Sequence, residues 1–434
     1  MVTISLYSLV NTFWVSRLGY QAVAALTSII PFYIFCIAIG LGTGVGVNAL
    51  ASRRFGEHNV EEANRAAGQT IFICLMWGLL LLLITNLFPR QILLICGAPA
   101  DVLDMGEQYL RLLGLGLTFY IFSIVTRNIF QASGDAIRPM IFIILAQVVN
   151  AALDPFLIFG WGPFPKMGIG GAALATGIAC GFNTFMALWF ILKGKTSYHL
   201  KFSHCLPSIK IIKDIYRVGL PSMLMELTGG IGFAVFNHVA AGYGSIVLAA
   251  VGIAGRISDL AFMPMVGMSH GLLPIIGFSL GAKKWTRLWG ALKLAVIWLV
   301  ILMLVATFCL EVFTSQVIGV FSSNPELLKI GVPGMRIFCS TLALIGPLIM
   351  FTTTLQGLSR GTIAMLLSLC HQFIFFIPGL LIWSHFLGLN GVWISMPISD
   401  FLGATIASLF IWREYRLQKK NPHWKTPPAP VPQM

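Results

Sequence analysis

One stretch of the sequence gathers oxygen ligands on a single helix face. Asn150 lies one helical turn before Asp154, and Pro155 follows directly. Because proline has no N–H, the carbonyl of Ala151 loses its usual helical partner. A carboxylate, an amide oxygen and a spare carbonyl are hard ligands that suit a small monovalent cation. A proton is the other means of neutralising such a carboxylate in an apolar environment, and a hydrogen-bonded polar side chain at a helix kink is the alternative interpretation.

Few other ionisable side chains fall within apolar stretches, where a charge is costly and therefore a candidate for function. Glu226 is predicted to be an acid that faces a cationic substrate, with helix packing as the alternative. Arg256 and Asp259 are i,i+3 neighbours, which are expected to neutralise each other and are candidates for substrate contact. Asp400 has no partner that the sequence reveals.

Single methionines and histidines are weaker candidates. Met225 belongs to a group of methionines that could line a pliant cavity for varied ligands, although such positions are more often core or lipid-facing. His371 and His238 are predicted to be hydrogen-bonded side chains of the interior and not bases.

The elements that must position these residues are membrane-spanning helices. The chain has 434 residues, of which 57% are hydrophobic and 10% charged, too little charge for a soluble domain of this length. A hydrocarbon core about 30 Å thick needs roughly 20 apolar residues per span, and about a dozen such stretches follow one another. The stretch before Arg17 is short, so the first helix is expected to be truncated. The sequence predicts an all-α polytopic membrane protein with about twelve transmembrane helices.

The basic residues indicate topology and not a nucleic-acid partner. The net charge is +13, but most Lys and Arg residues cluster in alternate loops, above all in residues 193–217 and in the tail. By the positive-inside rule, both termini are expected to be cytoplasmic in a multi-pass protein of the cytoplasmic (inner) membrane.

Two halves of the chain repeat each other. Gly19, Ala24, Ala25 and Gly56 have counterparts Gly244, Ala249, Ala250 and Gly281 at a constant offset of 225 residues. Because each half has an even number of spans, the halves enter the membrane in the same direction, as parallel repeats do. We predict an N-terminal lobe at 1–200 with spans one to six, a C-terminal lobe at 201–413 with spans seven to twelve, and a polar cytoplasmic tail at 414–434. Two such lobes suit alternating access.

The sequence gives no sign of an enzyme. Its eight cysteines are scattered without metal-ligand spacing. Residues 357–361 fit the G-x-S-x-G pattern of serine hydrolases, but they fall in a short turn between spans and not at a strand-to-helix elbow. We expect no catalytic residue and no cofactor.

Four segments together resemble one transporter family. They are the stretches 10–19, 55–64, 150–160 and 168–176, which read VNTFWVSRLG, FGEHNVEEAN, NAALDPFLIFG and GIGGAALAT. Their order and spacing closely resemble those of multidrug and toxic compound extrusion (MATE) transporters over nearly the whole chain.

The resemblance implies a twelve-helix antiporter that exports amphipathic, often cationic compounds in exchange for Na⁺ or H⁺. The family's amino-terminal cation site maps onto Asn150, Asp154 and Thr176, and its first-helix aspartate falls at Asn11. An amide can bind Na⁺ through its oxygen but cannot take up a proton, so the site keeps one titratable group instead of two. Coupling by a proton alone through a pair of carboxylates is therefore in doubt.

Alternatives remain at the level of sequence. A lipid-linked oligosaccharide flippase of a related fold would favour a cationic seam for pyrophosphate, and a non-transporting degenerate copy is favoured by the short first helix and Asn11. We expect a monomer in contact with membrane lipid and a small-molecule substrate. The choice between Na⁺ and H⁺ is open.

Overall fold

The computed structural model describes residues 14–15, 17–99, 102–162, 164–321 and 325–420, which are almost entirely helical. The first helices are α1 (Tyr20–Ser28), α2 (Ile30–Gly56), α3 (Val60–Leu87), α4 (Pro89–Ile95), α5 (Leu103–Ala132), α6 (Ile137–Phe159) and α7 (Ile169–Leu192). A short 3₁₀ turn (Phe202–Cys205) precedes α8 (Ile209–Ala241), α9 (Ser245–Gly281), α10 (Trp285–Phe321), α11 (Pro325–Cys339) and α12 (Leu342–Gly357). The last are α13 (Gly361–Leu369), a π-helical segment (Cys370–Phe376), α14 (Ile377–Leu387) and α15 (Leu389–Lys419).

Apolar helices of spanning length dominate the described part of the chain. Ten are long and apolar enough to cross a membrane, and the pair α11 and α12, bent by 42°, gives an eleventh when counted as one span. Helices serve this purpose because each satisfies its own backbone hydrogen bonds where no water is available. Large apolar side chains such as Leu294, Trp298 and Phe308 point outward from α10, as expected for a lipid-facing surface. The predicted first span lies outside the described residues except for its end at Trp14 and Val15.

The chain forms two compact units, Met1–Met223 and Leu224–Met434, hereafter unit 1 and unit 2. Each has its own apolar core, with Leu110 and Ile121 fully buried in unit 1 and Leu299 and Trp393 in unit 2. The units divide inside α8, later than the predicted lobe boundary at residues 200 and 201, which stays a prediction.

The loop before α8 is attached to unit 1 by hydrogen bonds. The Gln69 amide of α3 donates to the carbonyls of His204 and Leu206 at 2.9 and 2.6 Å, and its oxygen accepts from the Ser208 N–H at 2.7 Å. The His204 ring lies 3.0 Å from the carboxylate of Glu61. These contacts explain why unit 1 extends beyond the last residue of α7.

The two halves also repeat in backbone conformation. Gly19 and Gly244 have φ of 110° with ψ of 170° and 164°, and Gly168 and Gly388 both have φ of 57° and ψ of −135°. These conformations are open to glycine and strained for other residues. The repeat that was predicted from sequence offsets is therefore present in the turns that start corresponding helices.

Glycines of α2 bring other helices close on two faces. A Cβ at Gly40 would lie 2.9 Å from Ile124 of α5, and one at Gly42 would lie 2.6 Å from the carbonyl of Gly219 in α8. Small residues at such positions permit close packing in a membrane. The approach of α5 to α2 matters because both helices border the cavity of unit 1.

Candidate functional sites in the two units

A cavity of about 260 Å³ lies within unit 1 between α2, α5, α6 and α7. Its lining is unusually polar for membrane depth, with the side chains of Ser123, Arg127, Gln147, Asn150, Thr176 and Asn183. In lipid, such side chains are expensive unless they face the protein interior or a water-filled space. The cavity therefore provides the surroundings that a polar ligand requires.

The structure brings two of the predicted cation ligands together. Asn150 of α6 is 1% exposed and its amide donates to the hydroxyl of Thr176 on α7 at 3.3 Å. The Thr176 hydroxyl in turn donates to the carbonyl of Ala172 at 3.0 Å. The amide oxygen of Asn150 is buried and accepts no hydrogen bond from the described residues. It is a free oxygen donor beside the cavity.

Asp154 lies one turn further along α6 and is fully buried. Neither of its carboxyl oxygens has a hydrogen-bond partner in the described part of the chain. A buried ionised carboxylate without a partner is unstable, so it must hold either a proton or a bound cation. Because Pro155 cannot donate to the carbonyl of Ala151, a third kind of oxygen is available on the same turn. The donors present are all hard oxygens and fit Na⁺.

Arg127 also lines this cavity, which the sequence did not predict. It lies in the last two turns of α5, and its guanidinium Nε is buried without a partner among the described residues. No carboxylate is among the residues that line the cavity in the described structure. A large organic cation is therefore poorly matched to this space, since Arg127 repels it.

Unit 2 contains a different cavity, of about 350 Å³, between α8, α9, α12, the π-helical segment and α15. Its walls are aromatic and sulfur-containing: Phe233, Phe236, Phe262, Phe338, Phe376, Met225 and Met396. Phe236 packs on Phe338 and Phe376 with ring centroids 6.2 and 5.9 Å apart. Such walls suit a flat apolar molecule.

One ionisable pair lies in the lining of this second cavity. The His371 ring nitrogen Nε2 is 3.0 Å from Oδ1 of Asp400, and the Thr341 hydroxyl donates to Oδ2 of Asp400 at 3.1 Å. Asp400 is 2% exposed. The sequence indicated a hydrogen-bonded role for His371 but did not reveal that Asp400 is its partner, because the two residues lie on different helices.

The predicted substrate residues differ in whether they line a cavity. Met225 lines the cavity of unit 2, and its sulfur accepts a hydrogen bond from the Gln356 amide at 3.7 Å. Glu226 and Arg256 are exposed and line neither cavity. The side chain of Asp259, like all of Asn11, lies outside the described residues.

Comparison with known proteins gives the family. The MatE family model matches residues 1–156 and 221–381. The multidrug export protein MepA of Staphylococcus saprophyticus is 26% identical over 413 residues, which cover 94% of this chain and 89% of that protein. MepA of Staphylococcus haemolyticus is 26% identical over 410 residues, with the same coverage.

Solved structures agree with this assignment. A multidrug resistance MATE family transporter of the MOP superfamily, in an outward-facing conformation, matches with a TM-score of 0.90 and 27% identity over 97% of this chain and 94% of that chain. A MOP superfamily transporter from Pyrococcus furiosus, described as having a binding pocket of reverse polarity, matches with a TM-score of 0.89 and 27% identity over the same shares. The predicted all-α, twelve-helix membrane architecture is confirmed by this similarity. The chain belongs to the MatE family of multi-pass membrane transporters and is not an enzyme.

Proposed function

We propose that this transporter is a secondary active exporter of amphipathic or cationic small molecules, driven by entry of Na⁺ or H⁺ through alternating access. Family membership and the similarity to multidrug export proteins support export of small molecules. The observation that carries the coupling step is the fully buried carboxylate of Asp154, with neither oxygen partnered in the described structure.

The residues around Asp154 divide the work of holding a small cation. The carboxylate supplies the negative charge, and the free amide oxygen of Asn150 supplies a neutral ligand one turn away. Thr176 presents a hydroxyl from α7, so a cation held by all three residues would connect α6 to α7. A proton on Asp154 would neutralise the charge without making that connection. This difference separates the two candidate coupling ions chemically.

Alternating access follows from the same electrostatics. Empty and ionised, Asp154 favours a state in which water can reach it, whereas the neutralised carboxyl tolerates an enclosed one. The ion thus shifts the balance between two states by its different affinity for them. Export of an organic cation against its gradient requires that this shift be coupled to release of the substrate.

Placement in the cytoplasmic membrane with both termini inside is part of the proposal, as is a monomeric state. The basic residues that cluster in alternate loops support the orientation. Reporter fusions that are active only in the cytoplasm, placed after residue 420 and in the loop at residues 160–168, test it. Activity of the second fusion would contradict the proposed orientation.

The test of the coupling step uses inverted membrane vesicles and ethidium, a permanent organic monocation. A Na⁺ gradient and a pH gradient are imposed separately, and ethidium accumulation is followed by fluorescence. The wild-type protein should respond to at least one gradient, and Asp154→Asn should reduce accumulation to the level of vesicles without the protein. Asp104→Asn, a matched change of an exposed acid in the first turn of α5, should transport normally.

Vesicles are compared at equal amounts of inserted, monodisperse protein, since a loss of insertion would imitate a loss of coupling. Gradient-driven accumulation by well-inserted Asp154→Asn would contradict the proposed role. Absence of response to either gradient in the wild type would favour the non-transporting copy.

The flippase alternative is less well supported. Gripping a pyrophosphate calls for several cationic side chains arranged around it. Arg127 is the single Lys or Arg among the described residues that line either cavity.

A further inference from the structure

We propose that the cavity of unit 2 is a binding site for aromatic monocations, in which the bound cation replaces the proton shared by His371 and Asp400. The inference rests on the proposed export function and specifies where one of its ligands binds. It concerns a different unit and different residues from the cation site at Asp154.

Two interruptions of regular helix meet at this cavity. The span that begins with α11 bends by 42° between Cys339 and Leu342, and the following span contains the π-helical segment Cys370–Phe376. The break supplies the Thr341 hydroxyl to Asp400, and the π-helical segment supplies His371. Irregular backbone at membrane depth persists where it is buried in protein or borders a cavity, and broken helices often form binding sites in transporters. Two independent features therefore point to the same place.

The close fit around the imidazole shows how the pair is positioned. A Cβ on Gly403 of α15 would lie only 2.6 Å from Cδ2 of His371. The ring therefore packs against the bare backbone of α15, one turn from Asp400. Glycine at this position lets the imidazole reach the carboxylate.

The charge balance of the cavity defines its ligand. His371 and Asp400 are the only ionisable side chains among the described residues that line it. With the imidazole protonated the pair is neutral, and with the imidazole neutral the cavity holds one net negative charge. That charge is stable in an apolar surrounding only when a cation compensates it. A single positive charge on an organic ligand meets this requirement.

Other charged groups on the neighbouring helices pair with one another or are absent from the described lining of the cavity. Arg336 of α11 pairs with Glu311 of α10 at 3.6 Å, and Arg360 before α13 pairs with Glu414 of α15. Glu326 and Lys329 of α11 border a separate pocket. The remaining acidic, basic and histidine side chains on the unit 2 helices that border the cavity are not among the described residues that line it: Glu226, His238, Arg256, His270, His385, Arg413, Arg416 and Lys419. The side chain of Asp259 lies outside the described residues. Among the described lining residues, the pair therefore has no competing charge.

The walls select the body of the ligand. Phe233, Phe262 and Phe376 offer ring faces and edges to a cationic aromatic molecule, and cations bind favourably over such rings. Met225 and Met396 add polarizable side chains that adapt to different shapes. A volume of about 350 Å³ lies within the range of small-molecule sites. The cavity is thus suited to a flat aromatic monocation.

The exchange of ligand for proton fixes the direction in which ligand affinity changes with pH. At low pH the protonated imidazole occupies the carboxylate, and binding of the organic cation must release that proton. Binding should therefore strengthen as the pH rises and the pair loses its proton. No bond to carbon is made or broken, and one positive charge enters for each one that leaves.

The experiment measures ethidium binding to the purified full-length protein by calorimetry in buffers of different ionisation enthalpy. At the lowest pH of a series of titrations, wild-type protein should release up to about one proton per ethidium bound, and the number should fall as the pH rises. His371→Gln keeps a hydrogen-bond donor but cannot carry the proton, so any proton that ethidium displaces must then come from Asp400 itself, and the pH profile of proton release should differ from that of the wild type. Asp400→Asn should weaken binding by about 30-fold or more, because it removes the countercharge.

Asp104→Asn serves as the matched control, since it alters an exposed acid of unit 1 outside both cavities and should leave both affinity and proton release unchanged. The calorimetry uses no ion gradient, so failure of the coupling proposed at Asp154 would appear in the vesicle experiment and leave these results unchanged. Wild-type-like proton release by His371→Gln, or unchanged affinity of monodisperse Asp400→Asn, would overturn the present inference. His371→Gln gives an answer even if Asp400→Asn does not fold.

Discussion

Asp154 in unit 1 and Asp400 in unit 2 are both buried acids on transmembrane helices, but their surroundings differ. Both oxygens of Asp154 lack partners in the described residues, whereas Asp400 is bonded by an imidazole and a hydroxyl. The first acid depends on an ion from solution for its neutralisation, while the second has a neighbour that can supply a proton. The two acids also lie on helices that do not correspond in the repeat: Asp154 is on α6, whereas α15, which carries Asp400, follows Gly388, the counterpart of Gly168 before α7.

The two cavities differ in the same sense. The cavity of unit 1 is smaller and lined with amides, hydroxyls and Arg127, and that of unit 2 is larger and lined with phenylalanine and methionine. A small hydrated ion finds oxygen ligands in unit 1, and an aromatic cation finds rings and a compensating carboxylate in unit 2. The comparison suggests that the driving ion and the organic substrate occupy different units.

The largest expected effect is a double dissociation between the two acids. Asp154→Asn should abolish gradient-driven ethidium transport while retaining ethidium affinity, because the driving ion has lost its ligand and the organic site is intact. Asp400→Asn should weaken ethidium affinity by about 30-fold or more and retain the response of the protein to Na⁺ or H⁺. Vesicle transport and calorimetry are measured on the same four preparations, which are the wild type, Asp154→Asn, Asp400→Asn and the control Asp104→Asn. Loss of both properties in either single variant would remove the division between units.

A smaller effect is expected from the aromatic wall of unit 2. Phe262→Leu keeps an apolar side chain but removes the ring, so ethidium affinity should fall by about 0.5–2 kcal/mol, roughly 2- to 30-fold in Kd. Phe119→Leu changes an exposed phenylalanine of unit 1 and provides the matched control. Equal affinity of Phe262→Leu and wild type would show that the rings do not contact the ligand.

Positioning of the imidazole can be tested separately from its chemistry. Gly403→Ala places a methyl group against the His371 ring, which should displace the ring from Asp400. The pH profile of proton release per ethidium should then differ from that of the wild type while the protein remains monodisperse. A merely structural role of the glycine predicts lower thermal stability with an unchanged proton count, so the calorimetric count decides between the two.

The ion ligands of unit 1 should show a more modest response. Thr176→Val keeps the volume of the side chain and removes one oxygen, and the hydrogen bond that it accepts from Asn150 is lost as well. We expect a rise of about 3- to 10-fold in the Na⁺ concentration for half-maximal transport if Na⁺ is the driving ion. Thr184→Val, another buried threonine of α7, is the control. If transport is driven by H⁺, the pH dependence should be nearly unchanged in Thr176→Val, so this variant also separates the two ions.

Much of this architecture is predictable from sequence because lipid imposes simple rules. Apolar stretches of spanning length, basic loops and a constant offset between repeated glycines predict the helices, the orientation and the duplication. The Asn150 and Asp154 pair is predictable as well, because residues four apart share a face of one helix. These inferences need no knowledge of which helices are neighbours.

What the sequence could not reveal depends on contacts between helices and on breaks within them. His371 and Asp400 come together only because α15 packs on the π-helical segment, in which one extra residue per turn rotates the side chains that follow. Arg127 is near the end of α5 in sequence, yet it reaches the cavity through a packing arrangement that periodicity does not encode. Thr176 was placed beside Asn150 by family resemblance alone.

The smallest effect is expected at an acid outside both cavities, Glu57, directly after α2. Its carboxylate is hydrogen-bonded by Arg53 at 2.9 Å and Arg54 at 2.7 Å. Burial opposes ionisation of this group, but the hydrogen bonds and charges of the two arginines outweigh it and lower its pKa. Its stabilising contribution is therefore present above its ordinary pKa and is lost only as the pH falls through the lowered value.

Glu57→Gln should accordingly change the free energy of unfolding by no more than about 1 kcal/mol, as partly exposed ion pairs do. Ethidium affinity and its pH dependence between about pH 5.5 and 8 should match the wild type, because Glu57 lies outside both cavities and its lowered pKa keeps it ionised throughout that range. Calorimetric titrations across this range, run beside His371→Gln, check the expectation. If the pH profile changed in Glu57→Gln but stayed as in the wild type in His371→Gln, the exchanged proton would not belong to the pair of His371 and Asp400.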